Sequence, residues 1–207
     1  MADIFDEINE DLKKDRAQVL WARYGKFVIA AVAAVILAVG STQAFRAWKS
    51  QQAETSANAF HAALNADDVA LALEGALGSL SDGYAMLARF QIAAEKAEAG
   101  DKSAAEADYI ALSQDKSVQP LYQQAAVLMA VMNAPDGTDA TALQARLDPL
   151  TATTGPWQGL AMEVSAALDL RSGNSAAALA KANAILALPE ISPELRQRTN
   201  QLLTVLQ

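Results

Sequence analysis

The chain predicts an all-α protein: a single N-terminal transmembrane helix followed by a solenoid of short helix pairs. Three observations carry that prediction. The nineteen residues from Phe27 to Phe45, FVIAAVAAVILAVGSTQAF, contain no charge. Ala is abundant, Gly and Pro are sparse, aromatic residues make up only 6%, and alternating β-branched runs are absent, which leaves little from which to build strands. Turn-forming residues recur at a near-constant interval, Asn65, Gly100, Gly137 and Gly173 being 35, 37 and 36 apart. A period in the mid-thirties with a turn inside each unit is the signature of helix–turn–helix arrays.

Residues 1–26 read as a cytoplasmic tail. Ile4, Ile8 and Leu12 recur at fourfold spacing with Phe5 beside them, the pattern of a short amphipathic helix. Asp3, Asp6, Glu7, Glu10, Asp11 and Asp15 favour the competing reading, a solvated acidic tail, and no function is assigned to it.

Residues 27–45 form the membrane span. At a rise of about 1.5 Å per residue the helix is roughly 28 Å long, close to the hydrocarbon thickness of a bilayer. Lys13, Lys14, Arg16, Arg23 and Lys26 precede it, whereas only Arg46 and Lys49 follow closely, so the positive-inside bias keeps the N-terminus in the cytoplasm. Trp21, Tyr24 and Trp48 sit where amphipathic rings mark the two interfaces. Two other readings fit less well: the core helix of a soluble protein, because it would rarely show both flanks, and a cleaved signal peptide, because 26 residues carrying six acids precede the apolar run. The nearest small-residue site, Thr42 and Ala44, lies inside apparent helix. Ala30, Ala34 and Ala38 form a stripe of small side chains on which another membrane helix can pack, although Ala-rich segments also produce such stripes by chance.

Residues 46–207 read as one exported helical domain, of ordinary size for a single core. From Ser50 onward it carries nine basic and eighteen acidic residues, a net charge of −9, which disfavours nucleic acid and anionic head groups as partners. The chain has no Cys, so neither disulfides nor thiol chemistry are available. Helical pattern runs from the span through AFRAWKSQQAETSANAFHAALNA, as one long rod.

Within the array, Gly or Asn in the left-handed conformation is expected to close the first helix of each pair. Each lies five residues before an alanine, Ala70, Ala105, Ala142 or Ala178, which lets the second helix approach the first closely. Asp101, Asn174 and either Thr138 or Asp139 are positioned to cap the second helices, and Asp67-Asp68 read as a helix start in preference to a metal site. Ser81-Asp82-Gly83 and Gly155-Pro156 punctuate the units, and Ser192-Pro193-Glu194 opens a last helix with Ser as cap and Pro as first residue. That helix sets Arg196, Gln197, Arg198, Asn200 and Gln201 against Leu195, Leu202, Leu203 and Leu206, as a terminal cap would. The competing reading is an unrelated helical bundle with evenly spaced turns.

The segment Leu87 to Leu112, LARFQIAAEKAEAGDKSAAEADYIAL, resembles a tetratricopeptide repeat, with Ile92-Ala93 in the first helix, Gly100-Asp101 at the turn, and Ala105 and Tyr109 in the second. It departs at Lys96, where an aromatic is usual, and Pro120 comes late. The unit with Ala166, Gly173-Asn174 and Ala178 resembles it more weakly, with Ala182 in the aromatic position. The layout as a whole resembles the bacterial YfgM-like proteins, ancillary subunits of the SecYEG translocon. The shared features are a tail ending in Arg23-Tyr24-Gly25-Lys26, the Ala/Val/Ile/Leu span, Phe45-Arg46-Ala47-Trp48 after it, and a degenerate repeat domain. That resemblance implies a single-pass bacterial inner-membrane protein whose periplasmic domain works beside the translocon and chaperones on emerging polypeptides.

The sequence offers no catalytic constellation and implies no cofactor and no small-molecule substrate. It holds one histidine, His61, no phosphate loop and no metal-ligand spacing, so a non-enzymatic role is expected. By the geometry of tetratricopeptide arrays, the first helices line a groove, here Leu87, Phe90, Ala94 and Ala97, then Gln124, Val127 and Val131, then Leu160, Glu163 and Ala167. That groove is largely apolar and suits unfolded segments or a partner's helix; the competing reading makes these residues interior. The expected function is a membrane-anchored periplasmic protein-binding module, an ancillary subunit or chaperone accessory of the Sec translocon. The alternative is a tethered scaffold for an envelope complex, in division or wall assembly, without chaperone activity.

Overall fold

In a computed structural model the backbone is described for residues 3–206 and the side chains for residues 21–206 except Val28. The amphipathic reading of Ile4, Phe5, Ile8 and Leu12 lies outside the described side chains. Every regular element among the described residues is helical: α1 (Asp3–Leu64), α2 (Val69–Ala76), α3 (Asp82–Glu98), α4 (Lys102–Gln114), α5 (Pro120–Met132), α6 (Ala140–Ala152), α7 (Gln158–Arg171), α8 (Ser175–Leu186) and α9 (Pro193–Leu206), with a single 3₁₀ turn at Leu77–Ser79. The chain divides into two compact units, Met1–Glu54 and Thr55–Gln207.

The unit Met1–Glu54 is helical from Asp3 onward. Over residues 27–45 the described side chains all face outward, and Phe27, Ile36 and Leu37 are 62%, 65% and 72% exposed. Among the described residues, one helix is long and apolar enough to cross a membrane, and none of its apolar stretch is buried within the protein. Ala30, Ala34 and Ala38 are exposed with the rest.

In the second unit, successive helices pack chiefly on their chain neighbours, from α2 on α3 through to α8 on α9. Such nearest-neighbour packing makes a solenoid. The pairs are α3 with α4, α5 with α6 and α7 with α8; α2 packs on α3 ahead of them, and α9 stacks last. The turns between helices obey the expected chemistry in part. Gly100 and Gly173 have φ of +88° and +76°, and each closes its helix by bonds from the next residue's amide, Asp101 N to Lys96 O at 2.9 Å and Asn174 N to Asp169 O at 2.8 Å. Gly137 is also left-handed, at +88°, but α5 has already ended at Met132, and Gly137 serves a separate turn in which Thr138 N donates to Pro135 O. Pro135 cannot continue a helix, so the turn is displaced. Asn65 is not left-handed; it closes α1 through its amide group, Nδ2 donating to His61 O at 2.7 Å.

The second helices are capped as their residue types require. Asp68, Asp101, Asp139 and Asn174 each accept from amides in the first turn, of Leu71, Ala104, Thr141 with Ala142, and Ala177. The cap, rather than the glycine, sets the packing register. Four residues after the caps lie Ala105, Leu143 and Ala178, all with no exposed surface, and Ala72, half-buried against the first cluster. Ala142, expected to be the close-packing residue of its unit, is exposed, because Thr138 separates Gly137 from the cap and shifts the inward face by one.

Three apolar clusters lie along the array. The first gathers Ala63, Leu73, Ala88 and Ile92, the second centres on Ala93, Ala105, Tyr109 and Leu112, and the third on Leu128, Leu143, Leu147 and Leu168. The aromatic that the repeat pattern places at residue 96 is supplied from Phe90, whose ring lies 6.0 Å from that of Tyr109. Lys96 instead reaches Asp108 at 2.8 Å and Glu74 at 3.2 Å, tying α3 to both α4 and α2. Those two carboxylates raise its pKa, the Asp108 hydrogen bond contributing most. On α9, Ser192 Oγ accepts from Leu195 N, Leu195 and Thr199 are buried, and the five polar residues named above are exposed, as a terminal helix requires.

The left-handed glycines set up a first test. A Cβ at Gly100 or Gly173 meets nothing within 4 Å, so the penalty of Gly100→Ala or Gly173→Ala is purely conformational. Each is expected to lower stability by about 1–2 kcal/mol, read as a lower urea midpoint at unchanged slope.

Candidate functional site

The face expected to bind polypeptide is built from α3, α5 and α7, the first helices of their pairs. The structure sorts its residues by exposure. Leu87 is open at 44%, while Phe90, Ala94, Gln124, Val127, Leu160 and Glu163 are half-buried. Val131, expected to line the groove, is 5% exposed and belongs to the third cluster, because α6 and α7 close over that turn of α5. Val127 and Leu160 also lean on this cluster, and Phe90 on the second, so their outer edges alone meet solvent. Ala97 is half-buried and Ala167 exposed.

Three open apolar side chains escaped the sequence reading: Leu121, Tyr122 and Met132, at 44%, 37% and 55%. The signal for them was present. Helix α5, PLYQQAAVLMAVM, has no charged residue in thirteen, so its apolar residues outnumber the positions one buried face accommodates. Together with Leu87 they give α3 and α5 the exposed large apolar side chains of the array, apart from Leu71 and Val205 near its two ends.

Charged groups are mostly spent on structure. Six of the nine basic residues after Ser50 form ion pairs: Arg89 with Asp115, Lys96 with Glu74 and Asp108, Lys102 with Asp136, Arg146 with Glu106, Lys181 with Asp169, and Arg198 with Glu163. Arg198 grips both Glu163 oxygens at 2.7 Å, which fixes that proposed groove residue against α9. With the cations neutralised, the charge left for a partner is negative. Lys102 also holds the Asp136 carboxyl below its ordinary range.

Asp115 illustrates how local bonds act. Its carboxylate accepts from Ser117 Oγ at 2.7 Å, from Arg89 at 2.6 Å and from Ser117 N at 2.9 Å. These donors lower its pKa to about 2, the Ser117 hydroxyl contributing most. Since the folded value is depressed, the stabilisation is fully present above the unfolded value near 3.8 and is lost as pH falls through about 2. An NMR titration of the Asp115 carboxyl is expected to show this midpoint, and Ser117→Ala is expected to raise it.

A polar network lies inside the array where α6, α7 and α8 meet. Ser165 Oγ donates to Gln144 Oε1 at 2.6 Å, Gln144 Nε2 donates to Asp169 Oδ1 at 2.8 Å, and Lys181 Nζ donates to Gln144 Oε1 and Ser165 Oγ at 2.9 and 2.7 Å. Asp169 Oδ2, buried and without a hydrogen bond, is answered by the Lys181 ammonium at 2.6 Å. The network spaces three helices. Among the described residues no group of three or more His, Cys, Asp or Glu side chains could hold a metal ion.

Stacked helix pairs with open apolar side chains on the first helices α3 and α5 define a helical-repeat protein of the protein-interaction class. The chain belongs to the family of tetratricopeptide repeat-like domains, whose match covers residues 18–192, from a point within α1 ahead of its apolar stretch to the loop before α9. No curated protein and no solved structure matches it.

Proposed function

We propose that the protein is a single-pass inner-membrane protein, with a cytoplasmic tail (1–26), a span (27–45) and a periplasmic domain (46–207), that binds polypeptides beside the Sec translocon. The observation that carries this reading is the joining in one chain of a fully exposed apolar helix to a repeat array whose first helices present Leu87, Leu121, Tyr122 and Met132 to solvent. The basic flank before the span supports the orientation. The likeness in layout to YfgM-like proteins supports the translocon and its chaperones as neighbours. In this reading the protein is non-enzymatic, its clients meet the edges of Leu87, Phe90, Ala94, Gln124, Val127, Leu160 and Glu163, and Ala30, Ala34 and Ala38 pack on a translocon helix.

Photocrosslinking from Ala34 in the intact membrane, with identification of what is captured, tests it. Capture of translocon subunits is expected, and capture of unrelated complexes alone would overturn the assignment. A second reading, a tethered scaffold for an envelope complex, is favoured by one observation: Phe90, Val127 and Leu160 spend much of their surface on the core, leaving narrower footholds for unfolded chains. A holdase suppresses aggregation of a denatured client, whereas a scaffold binds only folded partners.

A further inference from the structure

Two clefts on the array occupy the same position in different repeats. One, of about 190 Å³, lies between the start of α3 and the start of α5; the other, of about 720 Å³, lies between the start of α7 and α9. Moving along the chain by 73 residues, the separation of Gly100 and Gly173, carries seven of the nine residues lining the first onto residues lining the second. The repeat architecture therefore generates the cleft, at the edge where each first helix begins. At the intervening position the Trp157 indole reaches from the start of α7 to α5 and donates to Leu121 O at 2.9 Å.

The two clefts also differ in the packing at one wall. Met86 in the smaller cleft corresponds to Gly159 in the larger one, where a Cβ would stand 2.6 Å from Leu195 Cδ2. Glycine thus admits close approach of α9, whose Leu195 takes the place a side chain would occupy. The larger cleft has an apolar wall of Leu160, Leu188 and Leu195, with Gln158, Ser192 and Arg198 around it.

The charges at the two clefts share a pattern. Each holds one arginine already neutralised, Arg89 by Asp115 and Arg198 by Glu163. Each also holds a carboxylate, Asp82 or Glu190, that forms no ion pair among the described residues. An apolar pocket rimmed by a free carboxylate complements an apolar side chain beside a lysine or arginine, and the net charge of the array acts in the same direction.

We infer that the α7–α9 cleft is a docking site for extended polypeptide in which a large apolar residue adjoins a basic one, with the α3–α5 cleft as a smaller copy. The apolar side chain rests on Leu160, Leu188 and Leu195, and the cation faces Glu190. The inference rests on the reading of the protein as a polypeptide binder and adds a site at the edge of the first-helix groove, with which it shares Leu160.

The test uses the full chain in phosphatidylcholine nanodiscs and two fluorescein-labelled peptides of about ten residues, one alternating Leu and Phe with Lys, the other with Glu in place of each Lys. The Lys peptide is expected to bind about tenfold more tightly than the Glu peptide, and Glu190→Lys to remove about that factor. A photocrosslinker replacing Pro189 is expected to capture the Lys peptide, and one replacing the exposed Ala145 is not. Equal affinity for the two peptides, or unchanged binding by Glu190→Lys, overturns the inference. Loss of binding through Leu87→Ser but not Glu190→Lys places peptides in the groove, removing the cleft site while the polypeptide-binding reading stands. No binding of either peptide removes the cleft site and leaves that reading to the Ala34 crosslinking. Self-association that Glu190→Lys abolishes identifies a second copy as the occupant and likewise overturns it.

Discussion

Leu147→Ala is expected to lower the stability of the array by about 3 kcal/mol, within the range for emptying a buried leucine site. Leu147 has no exposed surface and lies in the third cluster with Leu128, Leu143 and Leu168, contributed by α5, α6 and α7. The lost side chain forfeits both its transfer free energy and the contacts of the cavity left behind, because helices bound on two sides relax little. Against a total stability of about 5–15 kcal/mol for a typical domain the loss is severe. A solenoid distributes it unevenly, since each unit depends on its neighbours. Amide hydrogen exchange should accelerate first in α5, α6 and α7 and least in α2. Uniform acceleration would show that the array opens as one cooperative block.

Lys181→Met carries the second large effect, expected at about 2–3 kcal/mol. Breaking a fully buried ion pair costs about 3–5 kcal/mol, and the figure here is reduced because the Lys181 side chain is 31% exposed whereas Asp169 is 12%. The asymmetry explains the direction. Removing the ammonium leaves the Asp169 carboxylate buried, with Gln144 on one oxygen and nothing on the other. Replacing both charges, in Lys181→Met with Asp169→Leu, is expected to recover most of the loss, since Ser165 and Gln144 still bond each other. Denaturant midpoints of the two single variants and the double variant measure the coupling. Additive losses would mean that the pair is not coupled as its 2.6 Å separation requires.

Much of this architecture was readable before any packing was known. Caps at Asp101, Asp139 and Asn174, the left-handed Gly100 and Gly173, and Pro193 opening α9 are decisions made within a few residues, so residue chemistry alone carries them. The groove was less readable. Leu87 is open, but Val131 is interior, and Leu121, Tyr122 and Met132 were missed on the same helix. Helix α5 is apolar all round, so its sequence does not distinguish the face that meets α6 and α7 from the face that meets solvent. The departure at Lys96 reads as a defect in the repeat until Phe90 is found against Tyr109 and Glu74 and Asp108 are found around the ammonium.

The helical class, the period, the nineteen-residue apolar segment and the acidic surplus follow from composition and local spacing, because propensity, capping and hydropathy act over one or two turns. The inward register of α6, the polar network around Asp169 and the recurring clefts depend on contacts between residues tens of positions apart. In an alanine-rich chain, side chains are small and several faces of each helix resemble one another. Which of them is buried is then settled by the neighbouring helices, and the cleft beside Gly159 exists only because α9 closes on α7.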